Sequence, residues 1–366
     1  MRKKNTIDTK AKRFFTEQLM HWNQVDNQRK MPWKGEKDPY KIWLSEVMLQ
    51  QTRVSQGLEY YNRFIAAFPT IVDLANAADE KVLKMWEGLG YYSRCRNLIH
   101  TARFISFELG GKFPEKYHEI LQLKGVGPYT AAAIVSFAYS QPYAVLDGNV
   151  FRVISRFLGI ETPIDTNIGK NEFGELAQSL LDEKRPGLYN QAIMDFGATV
   201  CKPSSPNCGS CLLAKHCAAF LNGQVNQLPV KSKTITRKNR WFTYFIFQCK
   251  GYLAIRQRKQ KDIWQGLNEF YLYESEKAIH WTTENVLEWL EQQLGIDSAK
   301  VKSVSSQQVQ QLTHQQITGQ FIHVTLPTVP ASLKSLDWIQ EKQMGSFAFP
   351  RLINGYLEGI PNKKVS

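Results

Sequence analysis

Two carboxylates stand out in this sequence by the company they keep. Glu46 lies within P-Y-K-I-W-L-S-E-V-M-L-Q-Q-T, flanked by Ser45 and Val47 in a run that also carries Ile42, Trp43, Met48 and Leu49. A carboxyl among such neighbours is half buried. Lost hydration raises its pKa, which suits a proton donor near neutral pH. Asp147 follows the apolar run A-V-L and precedes Gly148 and Asn149 in L-D-G-N-V. Upstream of it, L-Q-L-K-G-V-G-P-Y-T-A reads as a helix end, a tight turn at Gly125-Val126-Gly127, and a new helix opened by Pro128. Proline fits that first position because its missing N–H has no helical partner there. Glycines permit positive φ and close backbone approach. Amides at a helix start attract anions, and a nucleic-acid phosphate fits such a site. Plainer readings remain open on residue type alone: a solvated glutamate on a polar helix face, and a helical hairpin in which Asp147 is an N-cap.

Four of the six cysteines crowd into one window, Cys201, Cys208, Cys211 and Cys217, spaced C-x6-C-x2-C-x5-C. Four thiolates so close can ligate one tetrahedral metal or one iron–sulfur cluster. Zinc sites commonly pair two C-x2-C knuckles. One knuckle with wide, unequal outer gaps leans towards a [4Fe–4S] cluster. Lys202, Lys215 and His216 put positive charge around this loop, while the isolated Cys95 and Cys249 read as packing residues.

These groups need elements to hold them. Amphipathic periodicity predicts a helix over 8–24, another from Pro39 through the Glu46 stretch, and further helices at about 55–68, 79–88, 92–108, 115–123, 148–158, 167–183 and 187–200. Gln50-Gln51-Thr52-Arg53 closes the Glu46 helix with hydrogen-bonding and basic groups. Tyr91 sits in L-G-Y-Y-S-R, a turn whose tyrosines suit either base stacking or ordinary packing. No strand pattern precedes residue 225. The polar, basic segment 223–240 reads as a linker. After it, W-F-T-Y-F-I-F-Q-C and Y-L-A-I-R-Q-R read as strands of a hairpin turning at Lys250-Gly251. Gln320–Leu326 and Phe347–Phe349 read as extended, and Thr282–Leu294 and Pro350–Leu357 as helical.

Length and charge bound the partners. A chain of 366 residues exceeds one ordinary core, and 43% hydrophobic residues indicate a folded protein. A net charge of +13 points to a polyanion, nucleic acid before membrane. No apolar run reaches the length of a membrane span and the N-terminus lacks the apolar core of a signal peptide, so a cytoplasmic site is expected, at the nucleoid in a bacterium.

In combination, P-Y-K-I-W-L-S-E-V-M-L-Q-Q-T, L-K-G-V-G-P-Y-T-A, L-D-G-N-V-F-R-V and the four-cysteine loop resemble the MutY family of adenine DNA glycosylases, over nearly the whole chain and most strongly from about residue 10 to 220. The resemblance implies a multidomain α and α+β fold. Residues 1–222 would form an all-helical helix-hairpin-helix catalytic domain similar to the wider endonuclease III superfamily, with the hairpin motif at 115–140 and an iron–sulfur loop at 201–217. Residues 241–366 would form a Nudix-like lesion-recognition domain. It implies removal of adenine opposite 8-oxoguanine or guanine in double-stranded DNA, by a monomer carrying a [4Fe–4S] cluster on the four cysteines. Glu46 would protonate adenine at N7 and later activate water, and Asp147 would stabilise the cationic sugar, the two-carboxylate logic of glycoside cleavage. Tyr129 and Asn149 would support Asp147 and the pocket. Arg29, Met31, Trp33 and Gln191 match positions that line the adenine pocket; Leu49, Gln51, Thr52 and Tyr91 match those that wedge into the duplex and face the lesion. Gly125 and Gly127 would hold the DNA backbone.

Departures from the family pattern refine these expectations. Lyase relatives carry lysine where Tyr129 stands, and a phenol forms no Schiff base, so base removal without strand cleavage is expected. I-W-Q-G-L-N-E-F at 263–270 has Asn268 where the family has tryptophan, and no Nudix box accompanies it, so no metal-dependent pyrophosphatase is expected. Leu312-Thr313-His314 is the nearest match to the family's lesion-reading loop, with Gln310 in place of an upstream histidine. The alternatives to this reading are an endonuclease III-like glycosylase/lyase acting on oxidised pyrimidines and a non-catalytic DNA-binding iron–sulfur protein.

Overall fold

Tertiary contacts divide the chain into two units, residues 1–76 with 97–233 and residues 77–96 with 234–366. The computed structural model describes residues 7–52, 54–232 and 236–359. The N-terminal residues 1–6, Arg53 of the Gln50–Arg53 cluster, residues 233–235 of the expected linker and residues 360–366 lie outside the described residues.

Up to residue 237 the described chain is helical, with no strand. Its helices are α1 (Thr9–Val25), α2 (Pro39–Leu49), α3 (Val54–Ala67), α4 (Ile71–Asn76), α5 (Asp79–Trp86), α6 (Tyr92–Arg103), α7 (Tyr117–Leu121), α8 (Pro128–Tyr139), α9 (Gly148–Leu158), α10 (Asn167–Leu180), α11 (Pro186–Thr199) and α12 (Ala218–Leu221). Two departures from the periodicity appear. The short α4 had no pattern of its own, and the helix expected over 92–108 loosens into a π turn at Phe104–Glu108. In the first unit, Phe15 and Leu19 of α1, Ala132 and Ala133 of α8, Ile154 of α9, Phe173 of α10 and Phe196 of α11 form one core. Burying a large apolar side chain stabilises by about 1.5–3 kcal/mol, more than a typical hydrogen bond returns. Apolar packing therefore fixes the helices, and polar groups at their ends are left for other work.

Helix α8 sits at the centre of this unit because its sequence allows it. Pro128 opens it, and Thr130 through Ser136 are all buried, so it has no solvent face in that stretch. Its alanines present little bulk, and α2 and α11 pack against it. Helix α9 starts at Asp147, whose side chain accepts from Val150 N, and stops at Gly159 in the left-handed region at φ +70°.

The second unit is built on an eight-stranded sheet: β1 (Lys238–Cys249), β2 (Tyr252–Gln257), β3 (Asn268–Glu269), β4 (Tyr271–Ser275), β5 (Lys300–Val304), β6 (Gln308–Gln311), β7 (Gln315–Thr325) and β8 (Asp337–Gln340). The main path runs β3-β2-β1-β7-β5. Strands β1 and β7 pair in parallel from Lys238↔Gln315 to Gln248↔Thr325, and the other pairings are antiparallel. The β1–β2 turn falls at Lys250-Gly251 as the sequence predicts, with φ of 47° and 82°, the two positive angles a tight hairpin turn requires. Alternation along β1 sends Phe245 against Trp289 of α13 (Thr283–Leu294), while Tyr244 stacks on Phe321, which stacks in turn on Tyr356 of α14 (Arg351–Leu357). Phe347–Phe349, expected as extended, joins no ladder; Asn268 N donates to Ala348 O there. The short strands β3, β4, β5, β6 and β8 carry no signal legible in the sequence, because so few residues show no period.

Candidate functional site

The packing of α2 on α8 brings Glu46 to Tyr129. The tyrosine hydroxyl donates to Glu46 Oε2 at 2.6 Å, and Met194 Sδ of α11 lies 3.4 Å from the same hydroxyl. Glu46 is only 6% exposed. Burial pushes its pKa up to about 7, with the Asp147 charge adding to the rise and the Tyr129 hydrogen bond opposing it. Burial and the neighbouring Glu46 push the phenol well above its ordinary range, so it remains a donor. A buried carboxyl that keeps its proton up to neutrality, held in one orientation, is equipped to protonate a bound base.

Asp147 is immobilised from the other side. Val150 N donates to its Oδ1 at 2.7 Å and Asn149 Nδ2 to its Oδ2 at 2.9 Å. Burial raises its pKa, opposed by these donors and by the charge of Arg152. Arg152, itself buried, ties Asn149 down: its Nη2 donates to Asn149 Oδ1 and to Gly197 O, both at 2.7 Å, and its Nε to Cys201 O at 2.8 Å. A Cβ on Gly197 would meet Asn149 Cβ at 2.7 Å, so glycine there is what lets α11 approach α9. The plain N-cap reading of Asp147 is thus true, and the cap also aims a carboxylate.

Glu46, Tyr129, Asp147 and Asn149 line one pocket of about 680 Å³, together with Arg29, Met31, Trp33, Leu49, Gln51, Thr52, Gly125, Gly127 and Gln191. Residues scattered over 160 positions of sequence therefore share a wall. At the hairpin, Gly125 has φ +81° and a Cβ there would meet Asn97 Cβ at 2.7 Å. Gly127 differs: its φ of −101° suits any residue, and a Cβ there would meet nothing within 4 Å. Of the two uses of glycine, positive φ therefore applies at Gly125, and an open face that allows close approach at Gly127.

Gln51 on the pocket wall carries φ of 56°, and Tyr91 in the second unit φ of 50°. Both are uncommon for residues with a Cβ and cluster at functional sites in proteins generally. Tyr91, Thr313 and His314 are not among the residues of this pocket. They belong to the second unit, where the Tyr91 hydroxyl and Thr313 Oγ1 are 2.9 Å apart and the β6–β7 turn carries an exposed His314. The buried Gln310 side-chain oxygen has no hydrogen-bond partner among the described residues.

The four cysteines line a separate cavity with Arg156, Phe157 and Phe196. Arg156 Nη1 lies 3.5 Å from Cys201 Sγ and donates to Lys202 O at 2.7 Å. Among the described residues no three His, Cys, Asp or Glu side chains are grouped closely enough to hold a single metal ion. Sequence reasoning missed Arg152, Gly197 and Asp195. The signal for Asp195 was present, a lone acid in the apolar helix A-I-M-D-F-G, but it resembled that of any solvated residue.

A model described as HhH-GPD superfamily base excision DNA repair protein matches residues 44–178, and a NUDIX domain model matches residues 243–359. An adenine DNA glycosylase of Buchnera aphidicola subsp. Schizaphis graminum is 30% identical over 359 residues, covering 94% of this chain and 98% of that protein. One from Buchnera aphidicola subsp. Baizongia pistaciae is 36% identical over 260 residues, 69% and 72% of the two chains. The Mus musculus adenine DNA glycosylase is 41% identical over 227 residues, 59% of this chain and 44% of that one. Among solved structures, a thermostable thymine-DNA glycosylase aligns with TM-score 0.55 and 28% identity over 58% of this chain and 98% of its own. A non-covalent endonuclease III–DNA complex aligns with TM-score 0.51 and 20% identity over 60% and 99%, a likeness of fold.

Proposed function

The chain belongs to the adenine DNA glycosylases of base excision repair, with an endonuclease III-like helical domain and a Nudix-like α+β domain, and on that premise we propose that it removes adenine paired with 8-oxoguanine, or with guanine, from duplex DNA. The observation that carries the site assignment is that Glu46 and Asp147 line one pocket, with Glu46 protonated up to about neutral pH. A base inside the stack is out of reach, so adenine enters the pocket as an extruded nucleotide. Glu46 gives its proton to adenine N7, the glycosidic electrons follow the base, and the sugar becomes cationic. Asp147, fixed by Val150 N and Asn149, stabilises that charge. The Glu46 carboxylate left behind then takes a proton from the water that attacks the sugar. Both acids come from one chain, so the proposed site needs no residue from a second copy, and action as a monomer is proposed. The Gly125–Gly127 hairpin and the N-terminus of α8 hold the DNA backbone. Because the substrate is chromosomal DNA, we place this work in the cytoplasm, at the nucleoid if the source is bacterial.

The lesion-reading role goes to the second unit. The Tyr91–Thr313 contact and the exposed His314 at one turn support their use against the opposite base, and Leu49, Gln51 and Thr52 are assigned the duplex side of the pocket. For Cys201, Cys208, Cys211 and Cys217 a [4Fe–4S] cluster is proposed. The four sulfurs line one cavity, and the guanidinium of Arg156 offsets the net negative charge of a thiolate-bound cluster. Bound there, the cluster supplies structural cross-linking, and none of the steps above uses it. With Tyr129 where lyase relatives carry lysine, that position offers no amine for imine chemistry, and base removal without strand cleavage is expected; Lys124, directly before Gly125, is the neighbouring amine along the chain.

One assay tests the reading. Duplexes carrying A opposite 8-oxoguanine, thymine glycol, or neither are incubated with the protein, with and without hot alkali. Alkali-dependent cleavage at A, abolished in Glu46→Gln, is expected. Alkali-independent cleavage at thymine glycol, or a borohydride-trapped adduct that depends on Lys124, would reject it. Thr313→Ala with His314→Ala is expected to weaken the preference for 8-oxoguanine over guanine.

A further inference from the structure

Behind the pocket wall lies a carboxylate to which no step above assigns a role. Asp195 of α11 is fully buried and accepts four hydrogen bonds from side chains. Arg29 Nη1 donates to its Oδ1 at 2.8 Å and Gln191 Nε2 to the same oxygen at 3.0 Å. Asn27 Nδ2 and Lys34 Nζ donate to Oδ2 at 2.9 and 3.1 Å. Two of these donors, Arg29 and Gln191, line the pocket.

A carboxylate accepts and never donates. Gln191 must therefore turn its NH2 towards Asp195, which leaves its carbonyl oxygen as the group available to the pocket. That oxygen takes no hydrogen bond from any described residue. We propose that Asp195 is a positioning residue that sets base specificity: it locks the Gln191 amide so that the pocket offers an acceptor, which selects a purine with a donor at C6. Adenine carries such a donor, its 6-amino group. Guanine and hypoxanthine carry a carbonyl oxygen there, which meets the Gln191 oxygen acceptor to acceptor. A buried site built to pair one polar pattern discriminates strongly against its inverse, because the wrong base leaves both groups unpaired.

This inference rests on the assignment of the Glu46 pocket as the adenine site. The test measures single-turnover excision of adenine, hypoxanthine and unsubstituted purine, each opposite 8-oxoguanine, by the full-length protein. Asp195→Asn frees the Gln191 amide to turn over, and the adenine-to-hypoxanthine ratio is expected to fall about tenfold, with the rate on purine, which has nothing at C6, changing less than that on adenine. Gln191→Met removes the acceptor without touching the buried carboxylate, and the same fall in ratio is expected. In the Asp195→Asn background, Gln191→Glu supplies an acceptor that needs no orienting partner and is expected to restore the preference. A loss equal on all three bases in Asp195→Asn would mean that Asp195 only supports the fold, and would overturn the proposal. So would an unchanged ratio in Gln191→Met, whether or not the Asp195 variant folds. Adenine excision that survives Glu46→Gln would overturn the site assignment and this proposal with it, whereas an inactive Glu46→Gln beside an unmoved ratio would overturn this proposal alone.

Discussion

Tyr129 and Glu46 are joined by a 2.6 Å hydrogen bond in which the phenol is the donor and the carboxyl the acceptor. The bond opposes the effect of burial on Glu46, yet burial wins and leaves the pKa at about 7. The pair thus keeps a proton on the acid at neutral pH while fixing where that acid points. A side chain free to rotate would lose the orientation, and one without the phenol would be harder to ionise.

The first prediction concerns pH. Excision under single-turnover conditions is expected to fall as pH rises through about 7, because the proton to be donated leaves Glu46 there. A rate flat from pH 6 to pH 9 would contradict a protonated Glu46 as the acid.

Stability should respond in the same window. The folded-state pKa of Glu46 is raised from 4.5 to about 7, so its contribution is fully present below the unfolded value and is lost as pH rises through the folded one. Glu46→Gln carries no such dependence. Denaturant titration should find it more stable than the parent by about 3 kcal/mol at pH 8, from the 1.36 kcal/mol carried by each pKa unit, and close to equal at pH 4. A gap that does not shrink on acidification would show that Glu46 ionises freely in the folded state.

Tyr129→Phe removes the one contact that lowers the Glu46 pKa. The alkaline limb of the rate profile should therefore move to higher pH, while the rate at its plateau falls because the acid is no longer oriented. A shift to lower pH would reverse the sign assigned to this bond.

Arg152→Gln should act on catalysis through Asn149. The substitution leaves Asn149 Oδ1 and Gly197 O without their donor. Orphaned acceptors of this kind cost about 1–3 kcal/mol each, and a loosened Asn149 no longer fixes Asp147. Excision should drop at least tenfold with duplex affinity within a factor of about two, since Arg152 is buried. Lost affinity with unchanged excision of bound substrate would place Arg152 in DNA binding instead.

The two hairpin glycines should separate under alanine substitution. Gly125→Ala meets both a positive φ and Asn97 at 2.7 Å, so a loss of stability of roughly 1–3 kcal/mol is expected. Gly127→Ala meets no protein atom within 4 Å and should melt like the parent, yet bind duplex more weakly if the proposed phosphate contact lies at its open face. Equal melting and equal binding in both variants would remove the hairpin from the DNA contact.

Much of this protein was legible in its residues alone. Helix periods of 3.6 located most of the helices to within a few residues, because each long helix buries one face. Lys250-Gly251 marked its hairpin because a tight turn needs positive φ at both positions. Local motifs singled out Glu46, Asp147 and the cysteine window by residue type and spacing. Other features had no local signal. Asp195 reads like any acid until α11 is packed and Arg29, Lys34, Asn27 and Gln191 close around it. Gly197 reads like any helical glycine until Asn149 lies against it. Arg152 shows its partners only when α9, α11 and the cysteine loop meet. The sequence determined which groups are equipped for chemistry, since that is a property of side chains and their neighbours along the chain. Tertiary structure decided their protonation and direction, because hydration and hydrogen-bond partners depend on which elements pack together, as when α8 brings Tyr129 to Glu46 across 83 residues of sequence.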